Sequence, residues 1–360
     1  MAEITISALC HSYDGDLSDR SRLALKGIDH VWRDGGAYAL LGPSGGGKSS
    51  MLNIISGLVR PTAGRILFDG REVTDLRPEE RNIAQVFQFP VLYDTMSVAE
   101  NLAFPLRNRR LPAPLIARRV AEVAEMLDLG PLLKRRAAGL GAADKQKISL
   151  GRGLVREDVA AILFDEPLTV IDPQVKFELR RKLKLVHETL KLTLVYVTHD
   201  QNEALTFADE VVVMSHGELL QAGTPEALYE RPSHSFVGRF IGSPGMNFLP
   251  CALEGGEIRF DGGRLPARGL AVPGRAKLAL GLRPQAIRPA AAPTGIEADL
   301  IEVEERGSYR IVDLALGANR IKMRLPEDIP LPAGRFPLAF NLSSTLVYAD
   351  DQLVGDLTHA

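Results

Sequence analysis

A glycine-rich loop between an apolar run and a helical stretch constrains the fold of this chain more than any other feature. Gly42 to Ser49 reads Gly-Pro-Ser-Gly-Gly-Gly-Lys-Ser. The loop follows the apolar run Tyr38 to Leu41, which predicts a strand, and it enters Lys48 to Ser56, which predicts a helix that ends at Gly57. A Gly-x4-Gly-Lys-Ser loop in this context predicts an α/β fold with a largely parallel sheet.

The residue types in this loop also predict its chemistry. Glycines let backbone N–H groups turn inward onto phosphate oxygens, and the N-terminus of the following helix adds partial positive charge. Lys48 is placed to reach the β- and γ-phosphates of a nucleotide, and the Ser49 hydroxyl is a candidate Mg²⁺ ligand. The predicted nucleotide-binding residues of this segment are Ser44, Gly45, Gly46, Gly47, Lys48, Ser49 and Ser50.

Two adjacent acids follow a second apolar run. Val159 to Phe164 is continuously apolar, which is typical of a strand buried on both faces, and Asp165 and Glu166 come directly after it. A carboxylate at the carboxyl end of such a strand faces the phosphate loop. We therefore expect Asp165 to hold Mg²⁺, mainly through water, and Glu166 to act as general base on the attacking water. The alternative is that both acids, followed by Pro167, simply start a surface loop.

Three other residues are candidates that the residue pattern alone leaves open. Gln88, in Val86-Phe87-Gln88-Phe89-Pro90, is either a contact to Mg²⁺ and the attacking water or a solvated side chain. His199 follows the apolar run Leu192 to Thr198, and it is either a γ-phosphate ligand or a structural histidine. Tyr13 either stacks on adenine or is an ordinary surface aromatic.

The rest of the chain divides by composition. Ser97 to Arg136 is helical in pattern and rich in arginine, which predicts a helical insertion. After Gly242-Ser243-Pro244-Gly245 the helical periodicity fades. Alternating runs then flank turn signals at Glu254-Gly255-Gly256 and Gly317-Ala318-Asn319. This part predicts a small all-β domain of the barrel type.

Overall composition excludes several classes of protein. The length of 360 residues fits about two domains, and 45% hydrophobic with 24% charged residues is ordinary for a globular protein. A net charge of -2 gives no bulk reason to expect nucleic acid as a partner. The two cysteines, Cys10 and Cys251, are far apart and indicate a reducing compartment. No apolar run approaches the length of a membrane span, and there is no signal-peptide pattern.

Taken together, these motifs resemble the nucleotide-binding subunits of ABC transporters over about two thirds of the chain. Further strings resemble the ATPases of carbohydrate importers. They are Asp165 to Asp172, Gly223-Thr224-Pro225-Glu226, Phe236 to Gly242 and Gly281-Leu282-Arg283-Pro284. The resemblance implies a P-loop ABC ATPase domain over residues 1–240, with a helical insertion at about 94–155. It also implies a small all-β, OB-like barrel regulatory domain over residues 245–360.

This resemblance also implies the cofactors and the roles of the open candidates. ATP and Mg²⁺ are expected, with Glu166, His199 and Gln88 as catalytic residues. Ser49, Gln88 and Asp165 are expected to bind the metal, and Tyr13 to stack on adenine. The implied partners are a second ABC ATPase subunit, two transmembrane permease subunits and, indirectly, a periplasmic solute-binding protein, with no nucleic acid. The implied location is the cytoplasmic face of the bacterial inner membrane.

One segment departs from the family pattern. Where the family has Leu-Ser-Gly-Gly-Gln, this chain has Leu140-Gly141-Ala142-Ala143-Asp144. In the family, that segment caps the γ-phosphate held by the partner subunit's phosphate loop. Here Gly141 removes the hydroxyl donor, Ala142 and Ala143 add Cβ atoms where backbone must approach phosphate, and Asp144 adds a negative charge. Gly151 and Gly153 in the following helix are each expected to weaken it by roughly 1 kcal/mol relative to Ala.

We therefore expect an ATPase subunit of a carbohydrate or polyol importer that works in a heterodimer with a second ATPase. Paired ATPases of this kind resemble those of glycerol-type importers, so glycerol is the predicted solute. One alternative is a non-transport ABC ATPase, against which the β-domain and the Gln88 region argue. Another is a regulatory subunit that binds ATP without hydrolysing it, against which Glu166 and His199 argue.

Overall fold

The computed structural model describes residues 2–169, 171–267, 269–291 and 295–357. Its contacts divide the chain into two units, which meet between Pro225 and Glu226. Val170, which belongs to one of the strings that resemble carbohydrate-importer ATPases, lies outside the described residues. None of the helices in the described ranges combines the length and the apolarity needed to cross a bilayer.

The first unit alternates strands with helices. Its strands are β1 (Ile4–His11), β2 (Leu25–Trp32), β3 (Ala37–Leu41), β4 (Ala63–Phe68), β5 (Arg71–Glu72), β6 (Ala84–Val86), β7 (Ile162–Asp165), β8 (Leu194–Thr198), β9 (Glu210–Ser215) and β10 (Glu218–Gly223). Its helices are α1 (Lys48–Ser56), α2 (Pro78–Arg81), α3 (Val98–Asn108), α4 (Ala113–Met126), α5 (Ala142–Leu154), α6 (Pro173–Leu190) and α7 (Gln201–Phe207).

The central sheet of this unit has the strand order β10-β9-β3-β8-β7-β6. All neighbouring pairs from β9 to β6 are parallel, and β10 alone runs antiparallel, beside β9. Leu41 at the end of β3 pairs with Thr198 of β8, and Asp165 at the end of β7 pairs with Val197. The carboxyl ends of these strands therefore meet at one edge, and the predicted α/β class is confirmed.

A second sheet, of order β2-β1-β4-β5, is antiparallel and shares one core with the central sheet. Helix α1 contributes Met51, Leu52, Ile54 and Ile55 to this core. The helix ends at Gly57, whose φ of 84° lies in the left-handed region that glycine adopts without strain. Burial of one face of α1 therefore fixes its N-terminus at the end of β3.

The arginine-rich stretch is helical, as predicted, and its helices α3 and α4 are followed by α5. Helix α3 begins with a capping box, in which Ser97 and Glu100 hydrogen-bond each other's backbone N–H groups. Helices α3 and α5 approach closely at Gly151, where a Cβ atom would lie 2.5 Å from Cδ2 of Leu102. Gly151 is therefore also a packing position, where a side chain would collide with Leu102.

Strand β7 is shorter than the apolar run that predicts it. It begins at Ile162, whereas the run begins at Val159. The intervening residues are hydrogen-bonded outside the ladder, because Ala160 N–H donates to Asn82 O at 2.9 Å and Ala161 O accepts from Ala84 N–H at 3.1 Å. Apolar character thus marks the buried run, and hydrogen bonding decides where the strand starts.

The second unit is all-β apart from short helices, as predicted. Two helices come first, α8 (Pro225–Glu230), which begins at the last residue of the first unit, and α9 (Ser235–Phe240). The strands are β11 (Asn247–Glu254), β12 (Glu257–Phe260), β13 (Gly263–Pro266), β14 (Leu278–Leu282), β15 (Ile287–Pro289), β16 (Glu297–Glu305), β17 (Tyr309–Leu316), β18 (Asn319–Pro326), β19 (Arg335–Phe340), β20 (Thr345–Ala349) and β21 (Gln352–Asp356).

These strands form two antiparallel sheets, of order β13-β12-β11-β14-β20-β21 and β15-β19-β16-β17-β18, over a shared core. Both predicted hairpins are present. The turn Gly255-Gly256 joins β11 to β12, and Gly317-Ala318 joins β17 to β18. Each sheet contributes buried aliphatic and aromatic side chains to the common core, among them Leu280 from one and Val312 from the other.

The division at Pro225 lies upstream of the 240–245 boundary that the sequence predicts. The buried guanidinium of Arg283 gives a physical reason. It donates to the carbonyl oxygens of Tyr229 and Gly238, at 2.9 and 3.1 Å, and also to that of Ile241. The helical segment before residue 242 is thereby held to the β-sheets, and it is part of the second unit.

Candidate functional site

The phosphate loop lies between β3 and α1, and its backbone needs glycine at defined positions. Gly45 and Gly47 have φ values of 77° and 96°. A Cβ atom on Gly42 would lie 2.1 Å from Met214 O, and one on Gly47 would lie 2.6 Å from Ala24 O. A Cβ on Gly45, in contrast, would meet nothing within 4 Å, so its backbone lies open to solvent. The loop therefore packs against the protein at Gly42 and Gly47 and is open to solvent at Gly45, as binding of a phosphate requires.

Lys48 lies within this loop and is almost fully buried. Its Nζ donates to the carbonyl oxygens of Gly42 and Pro43, each at 2.9 Å. Burial lowers the pKa of Lys48, and the nearby carboxylates of Glu166 and Asp165 act in the opposite direction. The ammonium group therefore sits in a poorly hydrated place, where its attraction for a phosphate is strong.

Ser49 and Asp165 meet at the N-terminus of α1. The Ser49 hydroxyl lies 3.2 Å from Oδ1 of Asp165. Burial raises the pKa of Asp165 and the neighbouring Glu166 charge adds to this, whereas the Ser49 hydrogen bond and the Lys48 charge oppose it. A hydroxyl and a carboxylate at this separation supply the oxygen ligands that Mg²⁺ prefers, so these residues fit that ion.

Glu166 is held in a constrained backbone conformation. Its φ is 45°, in the left-handed region, and its N–H donates to Val197 O at 3.0 Å. Its Oε2 lies 3.0 Å from Nδ1 of His199, and the Thr169 hydroxyl approaches the same oxygen at 3.3 Å. The structure thus brings together the two candidate catalytic residues of the strand ends.

A buried network lies behind His199. The Thr198 hydroxyl donates to Oε2 of Glu203 at 2.8 Å and accepts from Asp200 N–H at 3.0 Å. The Tyr196 hydroxyl donates to the same Glu203 oxygen at 3.1 Å. Glu203 is only 4% exposed, and burial of Tyr196 together with the Glu203 charge raises the pKa of Tyr196. Sequence reasoning missed Glu203, for which an acid in the first turn of the helix after His199 was the available signal.

The loop opens into a cleft of about 370 Å³. It is lined by Tyr13, Ala24, Ser44, Gly45, Gly46, Gly47, Lys48, Ser49, Ser50 and Glu166. Tyr13 is 71% exposed, and its hydroxyl lies 2.8 Å from Oγ of Ser50. The structure therefore groups the predicted nucleotide-binding residues around one cleft, with an aromatic ring at its margin.

Gln88 follows β6, beside the strand that carries Asp165. Val86 at the end of β6 pairs with Phe164, so Gln88 lies near the same sheet edge as the two acids. Its side chain is half-buried. Among the described residues, no hydrogen bond joins Gln88 to Asp165 or Glu166, so its predicted role in metal binding and catalysis stays a prediction.

The degenerate segment begins helix α5. Gly141 is the N-cap residue, and it supplies no side-chain hydrogen bond to the first turn, in which Asp144 lies. A Cβ on Gly141 would meet nothing within 4 Å. Of the residues that line the described 370 Å³ cleft, none comes from 140–144. Gly141 and Ala142 are therefore exposed at the N-terminus of α5, Ala143 and Asp144 are half-buried, and the segment does not line the cleft at this chain's own phosphate loop.

The helix that starts at this segment also contacts the Gln88 region. Nε2 of Gln146 lies 3.5 Å from Phe87 O, and Nη1 of Arg152 donates to Val91 O at 3.0 Å. The Arg152 guanidinium also lies over the rings of Tyr93 and Phe104, at 5.0 and 5.6 Å from their centroids. Helix α5 is thus attached to the chain on both sides of Gln88, at Phe87 before it and at Val91 after it.

Comparison with known proteins assigns the family. A sequence profile described as ABC transporter matches residues 25–169. The sn-glycerol-3-phosphate import ATP-binding protein UgpC of Yersinia pestis bv. Antiqua is 40% identical over 339 residues, which cover 92% of each protein. The protein of the same name from Ralstonia nicotianae is 41% identical over 327 residues, covering 87% of this chain and 88% of that protein. The chain belongs to the ABC transporter family.

A solved structure agrees with this assignment. CbiO1 from Clostridium perfringens, part of the ABC transporter complex cbiONQ, matches with a TM-score of 0.57 and 27% sequence identity. The match covers 63% of this chain and 90% of that one. The predicted family, fold class and ATPase activity are thus confirmed, and an ATPase of this family binds ATP.

Proposed function

We propose that this chain is the ATPase subunit of an importer for a small phosphorylated polyol, sn-glycerol 3-phosphate. The observation that carries the ATPase part is that Lys48, Ser49 and Glu166 line one cleft. Asp165 lies 3.2 Å from the Ser49 hydroxyl, and His199 lies 3.0 Å from Glu166. The solute is supported by the relatives, at 40 and 41% identity, that are named as sn-glycerol-3-phosphate import ATP-binding proteins. These names also favour a transport role over the non-transport alternatives.

We propose distinct roles for the residues of the cleft. Lys48 and the N–H groups of the loop bind the β- and γ-phosphates, and the Tyr13 ring stacks on the adenine. Ser49, Asp165 and Gln88 hold Mg²⁺, which neutralises phosphate charge when it is bound. Glu166 accepts the proton of the attacking water, and His199, 3.0 Å from it, orients its carboxylate.

We propose that the partners are two transmembrane permease subunits, a second ATPase and, indirectly, a periplasmic solute-binding protein. The docking surface for a permease would be the segment around Phe89 and Val91, whose side chains are 67 and 56% exposed. The chain would then act at the cytoplasmic face of a bacterial inner membrane. The second unit would serve as its regulatory domain.

The proposal includes an unequal pair of ATPases. Gly141 supplies no hydroxyl and Asp144 adds a negative charge in the turn that would face the partner's nucleotide. Losing one preorganised donor at such a site typically lowers the rate by about 10²–10³. ATP bound at the partner's phosphate loop would therefore be hydrolysed slowly, because this chain supplies the segment that caps it. ATP at this chain's own loop is capped by the corresponding segment of the partner.

The same degenerate segment favours a second candidate solute. Paired, unequal ATPases resemble those of glycerol-type importers, so glycerol itself is the competing candidate. Both solutes share the polyol body, and they differ by one phosphate group that the permease and the binding protein recognise.

The test is solute uptake by the complex that assembles with this chain. The chain is co-expressed with the permease, binding-protein and ATPase genes of its own neighbourhood, reconstituted in liposomes, and assayed with labelled sn-glycerol 3-phosphate and labelled glycerol. ATP-dependent uptake of the first supports the proposal, and uptake of glycerol alone supports the second candidate. Lys48→Ala is the control, since it should abolish uptake of either. Hydrolysis with uptake of neither solute would contradict both candidates.

A further inference from the structure

The second unit contains a cleft of about 710 Å³, nearly twice the volume of the cleft at the phosphate loop. All of its lining residues belong to this unit. Its volume lies within the range of roughly 300–1,000 Å³ that is usual for small-molecule sites. The nucleotide chemistry described above does not use this cleft.

The wall of this cleft contains apolar and aromatic side chains beside polar ones. Phe248 and Tyr348 pack edge to face, with ring centroids 5.1 Å apart, and Pro250 and Leu278 lie beside them. The Tyr348 hydroxyl donates to Pro232 O at 2.8 Å, so its polar atom is already satisfied within the protein. Cys251 also lines the cleft, and burial raises the pKa of its thiol to about 11, so the thiol stays neutral at physiological pH.

Two cations line the same cleft. The Arg239 guanidinium carbon lies 4.5 Å from the centroid of the Phe248 ring, so the planar group lies against an aromatic wall. Lys277 is exposed at the rim. Within the ranges that the structure describes, no carboxylate oxygen lies within 4.0 Å of a side-chain nitrogen of either residue. Both cations therefore keep free donors.

The two acids at the rim, Asp350 and Asp351, each accept a hydrogen bond from within the second unit. Oδ1 of Asp350 accepts from the Lys277 backbone N–H at 3.0 Å, and Oδ1 of Asp351 accepts from the Ser235 hydroxyl. Both aspartates occupy the left-handed turn between β20 and β21, with φ values of 46° and 68°. These hydrogen bonds hold both carboxylates in the turn, whereas the side-chain donors of Arg239 and Lys277 stay unpaired among the described residues. The two positive and two negative charges of the lining are formally balanced.

We propose that this cleft binds a small organic anion with a flat apolar body, such as an aromatic carboxylate or phosphate. The apolar side chains of the wall would take the ring by burial, which is non-directional. The Arg239 guanidinium would pair with the anionic group, for which its planar fork is suited, and Lys277 would add a second charge. The site is independent of the nucleotide cleft and of the transported solute.

The test uses 2-naphthoate as the probe and isothermal titration calorimetry on the full chain. One saturable site is expected. Arg239→Gln should weaken binding by about tenfold or more, because a charge-assisted hydrogen bond is lost, and Lys277→Gln should weaken it less. Arg306→Gln, which removes an exposed arginine of the same unit outside the cleft, should leave the affinity unchanged. Lys48→Ala should also leave the affinity for 2-naphthoate unchanged, which would exclude binding at the phosphate loop.

Two further measurements test whether binding depends on the charge of the ligand and on the space in the cleft. The cationic analogue 2-naphthylmethylammonium should bind at least tenfold more weakly, since the free donors repel it. Ala279→Phe, which fills the cleft without changing a charge, should abolish binding of 2-naphthoate. Equal affinity of the two analogues would overturn the proposal, and so would unchanged naphthoate binding in Arg239→Gln or in Ala279→Phe with an unaltered melting temperature.

Discussion

Oε2 of Glu166 lies 3.0 Å from Nδ1 of His199, and each residue follows the end of a different strand of the central sheet. The contact is asymmetric in exposure, since the Glu166 side chain is 19% and the His199 side chain 51% exposed. Because His199 and the Thr169 hydroxyl both contact this oxygen, and the backbone N–H of Glu166 is bound to Val197 O, the carboxylate is held in one orientation. Such preorganisation lowers the cost of reaching the reactive geometry.

The first prediction follows from this contact. Glu166→Gln removes the proton acceptor but keeps the shape of the side chain. In the assembled complex, ATP should still bind, and turnover at this chain's own site should fall by about 10² or more. Phosphate release and retained nucleotide are the measurements. Glu178→Gln, which changes another glutamate of the same unit on helix α6, is the matched control and should hydrolyse ATP normally. An unchanged rate in Glu166→Gln would rule out Glu166 as the base.

The second prediction concerns Asp165. Since burial raises its pKa, the folded chain holds the Asp165 proton more tightly than the unfolded chain does. The ionised carboxylate therefore destabilises the nucleotide-free protein at pH values above its folded pKa, and the penalty disappears as the pH falls to about 4, the unfolded value. Asp165→Asn should raise the melting temperature at pH 7, by a margin that shrinks towards pH 4, and should abolish ATP hydrolysis. A lower melting temperature at pH 7 would contradict this reasoning.

Local sequence predicts much of this site, because its central parts are short-range. The loop from Gly42 to Ser49 contains its own turn glycines, its lysine and its helix start, and each lies where the pattern predicts. The acids after β7 are marked by an apolar run that is needed for a buried strand. In both cases the signal and the structure involve the same few consecutive residues.

What the sequence did not predict depends on contacts between distant segments. Gly151 resembles a weak point in a helix until the 2.5 Å approach to Leu102 is known. Glu203 resembles a helix-start acid until Tyr196 and Thr198 are seen to donate to it. The cleft at Arg239 is formed by side chains more than 100 residues apart in sequence, from α9 to the turn after β20. None of these contacts has a periodic signature.

The third prediction concerns the stability of the second unit. Arg283 has its guanidinium bound to the carbonyl oxygens of Tyr229, Gly238 and Ile241, and burial lowers its pKa to about 10. Arg283→Met removes the donor to the carbonyl oxygens of Tyr229 and Ile241, whereas Gly238 O still accepts from Met246 N–H, so the free energy of unfolding should fall by about 3 kcal/mol. Denaturant titration of the full chain, followed by circular dichroism, measures it.

Arg283 also lies over an aromatic ring, 4.1 Å from the centroid of Tyr229, so the control is a second arginine that stacks on a ring. Arg324 lies 4.0 Å from the centroid of Tyr309, but it is exposed. Arg324→Met should change the free energy of unfolding by less than about 0.5 kcal/mol. Similar losses in Arg283→Met and Arg324→Met would show that the buried carbonyl contacts of Arg283 are unimportant.

The fourth prediction concerns coupling to a permease. Val91 is 56% exposed, and its carbonyl oxygen accepts from Arg152 of the helix that starts at the degenerate segment. Val91→Glu should abolish solute uptake by the complex, because a charge would enter an apolar contact, whereas ATP binding by the isolated chain should be unchanged. Leu185→Glu, at a side chain 62% exposed on helix α6, is the control and should transport normally. Normal uptake by Val91→Glu would place the permease elsewhere.

The last prediction concerns the unequal pair. The chain alone should bind ATP but hydrolyse it slowly, because both sites of a homodimer would meet Gly141 and Asp144 instead of a serine and a glutamine. A variant combining Gly141→Ser, Ala142→Gly, Ala143→Gly and Asp144→Gln should restore the cap. The structure has room for it, since a Cβ on Gly141 would meet nothing within 4 Å, and the introduced serine and glutamine would occupy the N-cap and N3 positions of a capping box on α5.

In the complex, this variant should raise hydrolysis at the partner's phosphate loop by about 10² or more. Combining it with Glu166→Gln separates the two sites, because the remaining turnover then comes from the partner's loop. Brisk hydrolysis by the unmodified chain alone would contradict the asymmetry, because it would show that the degenerate segment still supports catalysis.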